Sequence, residues 1–201
     1  MFQSFIREKI LNRINRLRLK NKHVSLLSNN CNGALILHDL RLRFNSPFVN
    51  LWLFPNDFVK YIKNIKHYMD CELQFEKYGD FPYPVARLDD IYIFFQHYKN
   101  EAEARRKWEE RTRRIDLDNL WILMTERDGC TFDVMKQFDD LPYKHKVLLT
   151  HLPFKDISSS CYVSGFEKEV ECGILSDFIP RQFLGRRYYD RFDYVAWLNS
   201  I

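Results

Sequence analysis

Ser28-Asn29-Asn30-Cys31-Asn32-Gly33 collects hydroxyl, amide and thiol groups into six consecutive positions. Asparagine amides can donate hydrogen bonds to an anion or a developing oxyanion, and backbone N–H groups at a helix start would add to that field. Ser28, Asn29 and Asn30 are therefore candidate substrate contacts. A thiol at a helix N-terminus feels positive potential, which lowers its pKa and frees the thiolate as a nucleophile. Cys31 also has a plainer reading as a small buried side chain, because free cysteine is commonly buried. As a nucleophile it needs a base within hydrogen-bond reach. His38 is poorly placed for that, since seven residues along one straight helix rise about 10 Å. His97 and His151 are the better candidates, and only folding can bring either close. Asp128 lies in Thr125-Glu126-Arg127-Asp128-Gly129, where it could orient a histidine or accept from a sugar hydroxyl, with Arg127 beside it for substrate. An Asp before Gly equally suits a tight turn. His38-Asp39 closes the list of candidate binding residues, with capping or pairing to Arg41 as the simpler role for Asp39.

These positions gain meaning from the elements around them. His23 to Leu27 is a short apolar run, followed by a polar, Gly-containing turn and the apolar start of a helix at Ala34, which is how a βα unit begins. Phe48 to Leu53 reads as a second strand ended by Pro55, with Asn56 as the cap of a helix to about Lys66. Glu72 to Tyr78 and Ile91 to Phe95 read as further strands, separated by the Phe81-Pro82-Tyr83-Pro84 turn. Asn100 caps a helix with Glu101 and Glu103 in its first turn and Arg111, Arg113 and Arg114 in its last, which suits the macrodipole at both ends. Leu120 to Met124, a helix over 131–138 and a strand from Lys146 to Thr150 continue the alternation, with His151 just beyond.

The expected fold is therefore α/β, a largely parallel sheet with helices on both faces. Residues 23–154 form the core domain, 1–22 a basic amphipathic helix, and 155–201 an aromatic extension packed on the core. Ligands in open α/β sheets bind beyond the carboxyl ends of the strands, which would gather the loops at 28–32, 125–128 and around His97 and His151.

Composition bounds the function. The 201 residues are 46% apolar and 29% charged, an ordinary globular balance with a high aromatic share of 16%. Five cysteines without a CxxC pair argue against a disulfide framework or zinc ribbon and for reduced thiols, so a cytoplasmic protein is expected. No stretch has the length of a membrane span or the apolar run of a signal peptide. Residues 1–23 hold seven basic residues against Glu8, a net +6, so the rest of the chain carries −2 of the total +4. Phe2, Phe5, Ile6, Ile10, Ile14 and Leu17 recur there at spacings of three and four. This helix either lies on an anionic membrane, on its inner face, or docks on its own domain with a solvated basic side. Arg105, Arg106, Arg111, Arg113 and Arg114 are interspersed with Glu101, Glu103, Glu109 and Glu110, which makes a solvated ion-paired face and not a nucleic-acid stripe. GxGxxG, P-loop, GxSxG and HExxH motifs are absent, and no ligand cluster has metal spacing.

Several stretches, in order, resemble one bacterial family catalogued as a domain of unknown function, number 1919. They are Ser28 to Cys31 with Gly33, His38-Asp39, Phe44 to Leu51, Phe95 to Tyr98, Glu101-Ala102, Lys107 to Arg111, and Arg127-Asp128-Gly129. The similarity runs through most of residues 20–155. It implies a role in exopolysaccharide or capsule biosynthesis, and some members are labelled loosely as acetyltransferases. The resulting expectation is a transferase acting on a cell-surface glycan precursor, most plausibly by acyl transfer. A coenzyme A thioester is the donor to test, and a sugar or lipid-linked glycan the substrate. In that scheme Asn29 and Asn30 stabilise the oxyanion, Cys31 is nucleophile or pocket thiol, His97 or His151 the base, and Asp128 the orienter. The competing expectation is a non-catalytic partner of a membrane-associated polysaccharide assembly complex, using aromatic and basic surfaces for contact.

Overall fold

The computed structural model describes residues 2–200. The chain opens with α1 (Phe2–Ile6), a π-helical turn (Arg7–Leu11) and α2 (Asn12–Arg18), one continuous helical segment. Then come β1 (Ser25–Ser28), α3 (Asn32–Leu40), α4 (Pro55–Lys63) and α5 (Ile65–Asp70). A short antiparallel group follows: β2 (Gln74–Phe75), β3 (Val85–Leu88) and β4 (Ile91–Phe94). The last stretch is α6 (Glu101–Thr112), β5 (Leu120–Thr125), α7 (Phe132–Asp139), β6 (Lys146–Thr150), β7 (Ser160–Tyr162), a 3₁₀ turn (Tyr188–Arg191) and α8 (Tyr194–Leu198).

The protein is α/β, with a four-stranded parallel sheet in the order β1-β5-β6-β7 and a three-stranded antiparallel sheet in the order β2-β3-β4. Every residue of β1 and β5 is buried. Neighbours along a strand point to opposite sides, so they enter different cores. Leu27, Ile122, Met124 and Leu148 join Phe58 and Phe138 in one apolar cluster. Leu26, Leu123, Val147 and Leu149 join Ile36, Tyr189 and Val195 in another. Gly33 lets α3 close on β1: a Cβ there would stand 2.7 Å from the Cβ of Ser28. Gly33→Ala would therefore overpack this junction, at a cost of about 1–3 kcal/mol.

Capping explains where helices begin. Asn100 accepts from the Glu103 amide and Thr131 from the Val134 amide, each satisfying a donor the helix leaves free. Pro55, not Asn56, starts α4, where its missing N–H costs nothing.

The structure corrects two strand expectations and adds a strand. Residues 48–53 form no strand; Trp52 alone bridges to Phe94, because Asn50 at φ +60° turns the chain out of extended geometry. The Trp52 amide donates to the Phe94 carbonyl at 3.0 Å and the Leu53 amide to the Asn29 carbonyl at 2.9 Å, so this irregular segment ties the two sheets together. Of the expected strand at 72–78 only Gln74–Phe75 pairs, and it pairs antiparallel. Val85–Leu88 is a strand that the neighbouring prolines conceal in the sequence. Within 155–201, β7 supplies the edge of the parallel sheet, while Leu175, Tyr189 and Leu198 enter the core.

Candidate ligand-binding site

β1 and β5 run side by side and end together, Ser28 opposite Leu123, with Thr125 two residues further on. Asn29 holds the two exits in register. Its amide donates to the Thr125 carbonyl at 3.1 Å, and its side-chain oxygen accepts from the Thr125 N–H at 2.9 Å. The side chain thus imitates one more residue of strand pairing. Asn32 adds a bond of 3.2 Å to the Thr125 hydroxyl, and the Asn30 side chain accepts from the Asn32 N–H at 3.0 Å, which turns the chain into α3.

Above these exits lies an open cavity of about 390 Å³. Asn30, Cys31 and Asn32 form one wall, Arg127 and Asp128 a second, Gln96 and His97 a third. Trp52 and Tyr83 add aromatic surface, and Ile174 to Ser176 from the C-terminal tail complete the rim. Trp52 is fixed by stacking on Phe94, centroids 4.0 Å apart and planes 10° off parallel, and by donating to the Tyr83 hydroxyl at 3.3 Å. Arg127 donates to Asp128 at 3.0 Å and to the Gly173 carbonyl at 3.2 Å. Asp128 sits at φ +57°, a left-handed conformation that Asp tolerates better than most side chains, and Gly129 follows at +80°. His97 is exposed, placed by its backbone N–H bonding to the Asn50 carbonyl at 3.2 Å.

The family described as a domain of unknown function (DUF1919) matches residues 2–199. The chain belongs to the DUF1919 family. It is 47% identical over 189 residues to an uncharacterized protein of Haemophilus influenzae, covering 94% of this chain and 90% of that protein. The DUF1919 match thus takes in the whole of the site, including the tail residues 174–176.

Not every sequence-predicted site residue of this DUF1919 chain reaches the cavity. Cys31, Asn30, His97, Arg127 and Asp128 do. Ser28 and Asn29 are wholly buried beneath it, and the Asn29 amide is spent on Thr125, so it is a positioning residue and not an oxyanion donor. The Ser28 hydroxyl faces α3 with no hydrogen-bond partner.

His151 lies outside the cavity lining, buried, with its Nδ1 2.5 Å from Glu126, whose carboxylate also accepts from the His151 N–H at 3.1 Å. His38 is exposed, while Asp39 is consumed elsewhere: it accepts from Arg7 at 2.5 and 3.0 Å, from Tyr189 at 2.8 Å and from Asn12 at 3.1 Å. Asp190 takes the other side of the Arg7 guanidinium. Burial opposes the Arg7 charge, but the two carboxylates outweigh it and raise its pKa.

The thiol expectation also changes sign. Burial pushes the Cys31 thiol up, and among the described residues no cation pairs with it to compensate for the lost hydration. Partial burial, with the nearby Glu126 and Glu171 charges, pushes the Cys130 thiol up to about 12. For metals, folding makes a grouping that sequence spacing did not single out. His67 Nε2 lies 2.8 Å from Asp89 and 3.6 Å from the Cys71 sulfur. None of the three lines the cavity. Sequence reasoning also passed over Trp52, Tyr83 and Gln96 as site residues. Gln96 was adjacent to a chosen histidine, whereas nothing local marks Ser176.

Proposed function

We propose that the cavity binds one sugar unit of a glycan precursor and that the protein is a transferase acting on it by acyl transfer. The observation that carries this is the lining itself. Side-chain amides of Asn30, Asn32 and Gln96 and the Arg127–Asp128 pair surround the aromatic surfaces of Trp52 and Tyr83. Amides and carboxylates match the hydroxyl groups of a sugar, while an aromatic face covers its C–H side. About 390 Å³ is at the small end of ligand pockets, so the cavity suits one ring with the remainder of the substrate outside.

In this reading His97 is the general base. It is solvent-accessible and has no side-chain hydrogen bond among the described residues. It takes the proton of a sugar hydroxyl as the oxygen attacks the acyl carbon of a thioester. The carbonyl π electrons move to oxygen, the tetrahedral intermediate collapses, and the thiolate leaves and is protonated. Asn30 supplies a donor for the oxyanion, and Asp128 binds a hydroxyl. Cys31 lines the pocket; its raised thiol suits direct transfer better than a covalent acyl-cysteine.

The protein is incubated with radiolabelled acetyl-coenzyme A and a panel of nucleotide sugars, and acetylated sugar is counted. Turnover that falls about 100-fold or more in His97→Gln and survives in Cys31→Ala supports the scheme. Turnover lost only in Cys31→Ala replaces it with a covalent route. The exposed aromatic side chains of Phe2, Phe5 and Phe183 favour a second reading, a non-catalytic partner of a polysaccharide assembly complex. Sugar binding without any turnover would establish it.

A further inference from the structure

The amino-terminal helix is docked by its polar side. Arg7, Asn12 and Asn15 are buried and bonded into the body, Arg7 to Asp39 and Asp190, Asn12 to Asp39, and Asn15 to the Tyr194 hydroxyl at 2.9 Å. Ile6 and Leu11 are the apolar side chains that accompany them. The π-helical turn makes this possible. The Asn12 N–H donates to the Arg7 carbonyl, five residues back, so positions five apart share a face across the turn. Arg7 and Asn12 thereby look the same way, as do Ile6 and Leu11. An uninterrupted α-helix would have placed Ile6 and Ile10 together on the buried side.

The consequence is an apolar stripe turned to solvent. Phe2 is 72% exposed, Phe5 61%, Ile14 47% and Leu17 81%, with Ile10 also outside. Lys9 and Arg13 stand exposed between them, unpaired with carboxylates among the described residues, and the Lys9 ammonium lies 5.8 Å from the Phe5 ring centre. Glu8, the one acid of the segment, is held by Arg16 and Arg41. The loop beside the helix repeats the pattern. The Gly185 backbone abuts Gln3 and Arg7, and two residues before it Phe183 is 75% exposed, flanked by exposed Arg181 and Arg186.

We infer that this face is a membrane-docking surface, on which α1, α2 and the Phe183 loop lie in the headgroup layer of an anionic bilayer. Apolar side chains along a helix about 25 Å long, interleaved with unpaired cations, match an interface that is apolar inside and negative outside. The buried Arg7 network fixes the orientation beforehand, so binding requires no refolding. This rests on the helix and the Phe183 loop and not on the reading of the cavity.

The test is flotation of the full chain with vesicles of phosphatidylcholine alone or with phosphatidylglycerol added to 30%, at about 50 mM and about 500 mM salt. The expected result is binding to the anionic vesicles at low salt, weakened by high salt and far weaker with phosphatidylcholine alone. Lys9→Glu with Arg13→Glu should lower affinity roughly 30-fold or more. Phe2→Ser, Phe5→Ser and Leu17→Ser together should abolish flotation while the near-ultraviolet circular dichroism stays that of wild type, since these side chains support no core. No flotation on anionic vesicles at low salt overturns the inference, as does flotation unchanged in the triple variant. Size-exclusion chromatography supplies a further decision: a wild-type dimer that the triple variant splits would assign the face to a second copy instead.

Discussion

Two polar regions of this molecule look alike in sequence and differ in kind. Around Arg7 the side chains of Asp39, Asp190, Tyr189 and Asn12 interlock in the buried interior, and nearly every donor and acceptor has its partner inside the protein. Around the β1 and β5 exits, Asn30, His97, Arg127 and Asp128 line an open cavity and keep hydrogen-bonding capacity directed at solvent. The first region spends its polarity on holding the amino-terminal helix and the carboxyl-terminal tail to α3. The second leaves polarity available for a ligand. Density of polar residues therefore does not mark a site; unspent hydrogen bonds in a concave, accessible place do.

The sharpest way to break this contrast is to exchange the arginines. Arg7→Met strands two buried carboxylates and should cost about 3–5 kcal/mol, read as a lower urea midpoint. Arg127→Met removes a half-exposed pair and should cost about 1 kcal/mol or less, while weakening ligand binding. If the two variants were equally destabilised, the distinction would fall.

Asn29→Ala should lie between them, at about 1–3 kcal/mol in the same unfolding experiment, because it leaves the Thr125 N–H and carbonyl without partners. A smaller effect is expected at acid pH. The hydrogen bonds from Arg16, first, and from Asn12 and Arg41 hold the Glu8 carboxyl down at about 2 against an ordinary 4.5. A depressed carboxyl stabilises the fold above its unfolded pKa, and that contribution fades as pH falls from 4.5 towards 2. Glu8→Gln should flatten the acid limb of the stability profile in that window, modestly because the pair is part-exposed. Smallest in stability is Cys31: iodoacetamide labelling followed by mass spectrometry should be slow at pH 7.5 and rise above pH 9, in keeping with a thiol that burial pushes up. Rapid labelling at neutral pH would restore the nucleophile.

Sequence signals were strong where one local rule governs. The βα turn at 28–33, the cap at Asn100 and the buried runs of β5 and β6 follow from hydrophobic patterning and capping chemistry alone. They failed where distant partners decide. Asp39 has its partners 27 to 150 positions away in Asn12, Arg7 and Tyr189, so nothing local separates it from a ligand contact. Glu126 hid in an exit loop, although it holds His151 in place. The apolar stripe of the first helix was visible, but its direction was not, because a π turn is not written in a spacing of three and four. The same holds for Trp52, which lies in a segment that resembles a strand and instead serves as a platform held by Phe94.

The central claim is that the cavity over the β1 and β5 exits receives a sugar, and saturation-transfer difference NMR tests it most directly. With a panel of hexoses and nucleotide sugars, the protein should transfer magnetisation to ring protons of at least one member, and Trp52→Ala should abolish that transfer without unfolding the chain. Silence across the panel, or signals unchanged in Trp52→Ala, would contradict the account.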